Sequence, residues 1–311
     1  MKSSKLRFAI LSALLVLVCS NRLSFASGPA APRAKLASYD WSTTASPNLG
    51  RNPPPKKLVE NLIRSLELAE TGFSIMGDKD GTYVCSFTFA DLRHNGMYSL
   101  VAGIGVTDRP SCRGITIIDK TSAGFESCGQ GGEIGSGSDV AAQIRDLNHD
   151  GHLEILLSYG LGSLEQRCAA NWTAIYAWTG NGYTNVSDQF KDFYRQRLDL
   201  VKRIIPTLGP IPNQEGYALS DKECLEAEAS AITRFLGISA DAGLDQAIRL
   251  TESKDRLERE FGTILLIQIG TPETRKLLEK LVNDPDYGVA MYAKNGLTIP
   301  RKMKFAPPSF R

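Results

Sequence analysis

The sequence predicts an α+β protein in which a small antiparallel β module is followed by an α-helical domain. Three observations predict it. Between Phe73 and Val186 short β-prone runs alternate with Gly- and Asp-rich turns, from Ser187 onward the apolar period becomes helical, and each half carries an internal repeat. The chain has 311 residues, 42% apolar and 23% charged, enough for one large or two smaller cores.

Residues 1–7 are basic, Phe8–Cys19 form an apolar run, and Ser24-Phe25-Ala26 places small residues where a signal peptidase needs them. A bilayer span takes roughly 20 apolar residues, so this run is read as a secretory signal peptide over 1–26 and not as a membrane helix. Val18 precedes Cys19 where a lipobox has Gly, Ala or Ser, so lipid anchoring at Cys19 is not expected. Residues 27–55 end in Asn52-Pro53-Pro54-Pro55 and offer few large apolar side chains, the composition of a flexible leader. The whole chain carries a formal +2; without the four basic residues of 1–26 it keeps 32 basic against 34 acidic residues. A near-neutral mature chain gives no electrostatic reason to bind nucleic acid, and no other stretch is apolar and long enough to span a membrane. An extracytoplasmic location, periplasmic or secreted, follows.

Residues 56–186 are read as one helix plus the β module. Leu58, Val59, Leu62, Ile63, Leu66 and Ala69 recur at helical spacing within Lys56–Glu70, and Thr71-Gly72 supplies a stop. Strands are expected at Tyr83–Phe89, Ser99–Val106, Ile115–Asp119, Glu154–Tyr159 and Trp172–Trp178. Gly129–Gly137 lacks the Gly-Lys-Ser/Thr ending of a phosphate loop and is read as an ordinary loop. Residues 187–217 give a helix over Asp188–Ile205, stopped by Pro206, and a linker at Leu208–Asn213. In 218–300, Ser220-Asp221-Lys222-Glu223 forms a capping box for a helix ending near Gly237. Further helices are expected at Leu244–Thr251, Lys254–Ile269, Pro272–Val282 and Pro285–Leu297, the last two opened by Thr271-Pro272 and Asp284-Pro285. Residues 301–311 form a basic, proline-containing tail.

An export signal makes disulfides permissible for Cys85, Cys112, Cys128, Cys168 and Cys224. One or two bridges are expected among the first four, Cys112–Cys128 being favoured because they flank one apparent hairpin, with Cys224 left over.

The β region repeats itself. Phe89–Val101 (FADLRHNGMYSLV) aligns with Ile144–Leu156 (IRDLNHDGHLEIL) at an offset of 55 residues, and a strand follows each copy. The second copy and its surroundings, over 85–186, resemble the FG-GAP or VCBS repeat of integrin-type β-propellers, in which D-x-D/N-x-D/N-G-x-x-D/E holds calcium. The resemblance implies a site for Ca2+: Asp146, Asn148 and Asp150 supply side chains, His152 its backbone carbonyl and Glu154 the closing carboxylate. Gly151 permits the sharp turn. An EF-hand fits less well, since its twelfth position would be Leu157. The first copy has Asp91, Arg93, Asn95 and Ser99 at the matching positions, and the Arg93 guanidinium is expected to replace the ion by bonding the loop from within. One metal site is therefore expected, not two. Two repeats are too few to close a propeller, so the module should be a small, open, propeller-related sheet with its edges covered by flanking helices.

A fainter repeat runs through the helical part. Arg259–Ile267 and Val289–Leu297 are offset by 30, and Ala247–Leu250 lies about one unit from Lys276–Leu281. Together with Asn283-Asp284-Pro285-Asp286 this resembles HEAT-type helical repeats over 244–299, a resemblance that implies a protein-interaction scaffold. Ser220–Leu236 is expected to cap one end.

For catalysis the residues offer little. The three histidines, His94, His149 and His152, all sit in the two repeat loops, and no G-x-S-x-G, H-E-x-x-H or C-x-x-C occurs. His149 and His152 with Asp150 could be read as a zinc set, but neighbours that are oxygen donors favour calcium. Acid pairs such as Glu126 with Glu133, or Asp139 with Asp146, could serve a glycosidase. Tyr159, Trp172, Tyr176, Trp178 and Tyr183 are expected to pack a core, the alternative being a glycan platform. The expected function is an exported, non-catalytic, calcium-binding protein that binds or scaffolds a protein partner or an extracellular glycan. The alternative is a secreted hydrolase with carboxylates or histidines between the two parts.

Overall fold

Amphipathic periodicity decides where the first core forms. In α1, Lys56–Glu67, the apolar face predicted from the sequence is buried: Val59 and Leu62 are fully enclosed, with Leu58, Ile63 and Leu66 beside them. The computed structural model describes residues 39, 41, 54–67, 82–106, 109–122, 124–131, 139–161, 171–180, 182–209 and 219–298. The expected signal peptide, nearly all of the leader, the stretch Gly132–Gly137, most of the linker and the tail lie outside them.

The face of α1 packs on an antiparallel sheet of four strands in sequential order: β1 Thr82–Ala90, β2 Ser99–Val106, β3 Arg109–Thr121 and β4 Gly124–Gly131. Val84, Phe89, Leu100, Ala102, Ile104, Ile118 and Phe125 meet the helix, and Trp41 closes the core, stacked on Phe125 with centroids 5.6 Å apart. The Val84 amide also donates to Glu60 Oε1, 3.3 Å away. The fourth strand corrects the expected loop: Gly129 and Gly131 pair with Ile117 and Ile115. Glycine lacks the side chain that marks a strand, so only partnership with β3 reveals it.

A second four-stranded sheet follows in the order β5 Ile144–Arg145, β6 Glu154–Gly160, β7 Asn171–Trp178 and β8 Tyr183–Asn185. β5 and β6 are antiparallel, as are β7 and β8. The chain divides into two compact units; among the described residues one takes everything to Leu157 plus Ile175–Asn185, the other Ser158–Ala174 and everything from Val186.

Besides the end of β6 and the start of β7, the second unit holds the helices α2 Lys191–Ile204, α3 Asp221–Phe235, α4 Leu244–Thr251, α5 Arg256–Ile269, α6 Pro272–Leu281 and α7 Tyr287–Thr298. Tyr194 on α2 stacks on Trp172 at 4.9 Å and meets Phe235 of α3 at 4.6 Å, while its hydroxyl donates to the Thr173 carbonyl at 2.6 Å. Arg197 forms a two-pronged ion pair with the buried Glu228, tying α2 to α3. Ser220 and Glu223 make both bonds of the expected capping box. α4 and α5 pack so closely that a Cβ on Gly262 would lie 2.8 Å from both the Ala247 carbonyl oxygen and the Thr251 nitrogen. Glycine is needed there for backbone to approach backbone.

The turns before α5 and α7 share one pattern, 31 residues apart. Asp255 receives its amide support from Ser253 Oγ and caps Leu257 and Glu258; Asp286 receives it from Asp284 Oδ1 and caps Gly288 and Val289. The cap of α7 is thus Asp286, not the expected Asp284 before Pro285, because Asp284 is drawn instead to Arg259, at 3.1 Å. Thr271 caps α6 with Pro272 at the first helical position, as the sequence implies. Among the described residues no helix is long and apolar enough to cross a membrane.

Candidate metal centre

The repeat read in the sequence is also a repeat of backbone geometry. The loop from Asp146 to Leu153 joins β5 to β6, with Arg145 paired to Glu154. Asp146 follows the strand and turns its carboxylate back into the loop, so that Oδ1 accepts from the Asp150 amide at 3.1 Å and Oδ2 from the Gly151 amide at 2.9 Å. The loop from Asp91 to Tyr98 joins β1 to β2, with Ala90 paired to Ser99. There Asp91 accepts from the Asn95 amide at 3.0 Å and the Gly96 amide at 2.7 Å. Asn95 and Asp150 each accept from the amide two residues on, at 2.9 and 2.8 Å. Left-handed residues recur in step: His94 and His149 at φ 50° and 61°, Gly96 and Gly151 at 78° and 88°. Every one of these pairs is 55 residues apart.

The five expected ligands lie between Asp146 and Glu154, and hydrogen bonds join three of them, Asp146, Asn148 and Asp150. Asn148 Nδ2 donates to Asp150 Oδ2 at 2.8 Å, its Oδ1 accepts from the Asp150 amide at 3.3 Å, and Glu154 Oε2 accepts from the Leu147 amide at 2.9 Å. His152 contributes its amide to Asp150 Oδ1, while its ring turns to His94, centroids 4.7 Å apart. Glu154 is only 2% exposed, and burial raises its carboxyl above the usual range, reinforced by the negative charges of Asp150 and Asp146. Asp150 is displaced the other way, held low by the His152 amide and the Asn148 side chain.

The donor set fits calcium in kind. Each carboxylate or amide oxygen has about two lone pairs, so an oxygen that accepts one N–H retains capacity for a hard cation. A buried carboxylate facing two more carboxylates gains from a divalent ion. As the side chains stand, no three or more His, Cys, Asp or Glu among the described residues close on a common point at metal-holding distance. Binding would therefore require the carboxylates to turn from their peptide partners toward the ion.

The first loop departs from expectation at Arg93. Its guanidinium leaves the loop, ion-pairs with Asp119 on β3, and lies over the Trp178 ring at 4.0 Å from the centroid. Asp119 also accepts from Ser99 Oγ at 2.6 Å and from the Cys128 thiol at 3.1 Å. A planar cation finds both a carboxylate and an aromatic face there, which the sparse loop cannot match. No sequence signal marked Asp119 or Trp178 as its partners; only strand pairing brings them together.

The cysteines also depart from expectation. Cys128 is a thiol, whereas Cys85 and Cys224 are disulfide-bonded. The favoured Cys112–Cys128 bridge fails on register: Cys128 falls opposite Ile117 and Ile118, at least five residues along β3 from Cys112. At ~3.3 Å per residue that is roughly 16 Å, against an allowed Cα separation below about 7 Å. Cys224, expected to be left over, is disulfide-bonded.

Of the aromatic set, Tyr159, Trp172, Tyr176 and Tyr183 are buried, and Trp178 carries Arg93 on its face. The four buried rings pack as expected of a core. Comparison with protein-family models, with curated proteins and with solved structures finds no match to this chain.

Proposed function

We propose that the chain is an exported, non-catalytic binding protein whose β module is organised around one calcium ion in the loop Asp146–Glu154. Asp146, Asn148 and Asp150 would bind through side chains, His152 through its carbonyl, and Glu154 would close the site. The ion would supply charge neutralisation and a fixed loop, not chemistry on a substrate. What supports this reading is the Asp146–Glu154 loop, where hydrogen bonds join Asp146, Asn148 and Asp150 and Glu154 at its end is buried. On the same reading the two β hairpins are FG-GAP-like repeats of an open, propeller-related module, and the helices from α4 to α7 are HEAT-like repeats. Support for the latter is the turn pattern repeated before α5 and α7, together with Arg259, which bonds the Ser253 and Lys254 carbonyls of one turn and the Asp284 carboxylate of the other. Such a helical domain would present its surface to a protein partner.

Thermal unfolding in calcium and in chelator tests the proposal. Calcium at 100 times its dissociation constant adds about 2.7 kcal/mol to the native state, so a rise of several degrees in the Tm of the β module is expected. Asp146→Ala combined with Asp150→Ala should abolish the rise. Identical curves in calcium and chelator would count against the site.

A further inference from the structure

The two repeat loops touch. His152 of the second lies against His94 of the first, with ring centroids 4.7 Å apart and planes inclined by 46°. The His94 ring also covers Gly151, where a Cβ would lie 3.0 Å from His94 Cε1. Glycine at 151 therefore serves two ends, a left-handed backbone at φ 88° and room for a ring from the other loop. His94 is itself held from behind. Its neighbour Arg93 ion-pairs with Asp119 and lies over the Trp178 ring at 4.0 Å, while the Asp91 carboxylate closes the loop on the Asn95 and Gly96 amides. All of these residues belong to one compact unit. His94, Gly151 and His152 are nonetheless exposed, and a corner this open has little packing of its own to order it.

We propose that the first loop is a buttress for the second: Arg93 fixes it in place, and His94 holds the Asp150–His152 corner in its closed bend. The inference rests on the calcium reading for its consequence and not for its geometry. A loop that must close before it binds loses affinity in proportion to the fraction that is open, so a corner held ready raises the apparent affinity. The first copy, with Arg93 and Ser99 at two of the ligand positions, thus contributes to the site without touching the ion. The His152 ring serves the contact with His94, which leaves its backbone carbonyl for the role proposed above.

Amide order parameters of the metal-free full chain by NMR, read beside calorimetric titration of Ca2+, test this. Asparagine tolerates the left-handed backbone at position 94, so His94→Asn removes the ring and keeps the loop. In that variant the Asp150, Gly151 and His152 amides are expected to fall from about 0.85 to about 0.6 or below. Ca2+ affinity should weaken about threefold as the closed fraction falls. Arg93→Ala should do the same and add little in combination, because both changes act through one contact. Met97→Ala, an exposed change in the same loop, should have no effect, and in every variant the Leu62 amide of the core should keep its order. Unchanged order at 150–152 in His94→Asn, equal loss at Leu62, or looser amides with unaltered Ca2+ affinity overturns the proposal. A chain that binds no Ca2+ yet loosens at 150–152 in His94→Asn overturns the calcium reading, while the buttress stands.

Discussion

Glu154 concentrates the electrostatics of the loop. Its folded-state pKa is raised by burial and then by Asp150 and Asp146, so in the metal-free protein the protonated form is favoured by folding. That contribution is present below the unfolded value, near 4.5, and is lost as pH rises through the folded one. We predict that the metal-free β module gains stability as pH falls from neutral toward that value, and that the calcium-dependent rise in Tm shrinks over the same interval as protons compete with the ion. Glu154→Gln should flatten both trends; melting curves across pH with calcium or chelator check it, and unchanged trends in the variant would contradict it. Asp150 moves oppositely but is fully exposed, so solvent screens its effect. Arg93 offers a second test at this scale. With 16% and 14% side-chain exposure, Arg93 and Asp119 form a mostly buried pair. Arg93→Ala should cost about 1–3 kcal/mol in denaturant unfolding by leaving Asp119 without its cation. A loss below a few tenths would show that Ser99 and Cys128 alone satisfy that carboxylate. The loop was legible in the sequence because Asp, Asn and Gly each perform a local task at fixed spacing, and Gly151 must adopt positive φ. The destination of Arg93 was not, because its partners lie 26 and 85 residues away along the chain.

At the scale of elements, the helices show how local signals and packing divide the work. Ser220, Thr271 and the period of α4 through α7 announce themselves, since caps and apolar stripes are written within a few residues. The cap of α7 was misplaced by two residues because Asp284 and Asp286 look alike locally, and a partner on another helix, Arg259, decides between them. β4 escaped for a related reason, its glycines being defined only by β3. Close packing of α4 on α5 rests on Gly262, where even one methyl group would press on the Ala247 carbonyl. Gly262→Ala should therefore destabilise the helical unit by about 1–3 kcal/mol, despite alanine's better helix propensity. Denaturant unfolding followed by far-UV circular dichroism would measure this; a stabilised variant would mean that the two helices can separate at little cost.

For the whole molecule, the α+β class and the order of strands and helices follow from the change of apolar period near residue 187. Some long-range features did not follow: the disulfide-bonded state of Cys224 and the contact of His94 with His152 depend on residues far apart along the chain. On the proposed reading the second loop grips a single calcium ion. Calorimetric titration of Ca2+ into the metal-free chain tests it most directly. One ion per chain is expected, with binding removed by Asp146→Ala plus Asp150→Ala and retained by Asp91→Ala; no heat of binding, or binding that depends on Asp91 instead, would contradict it.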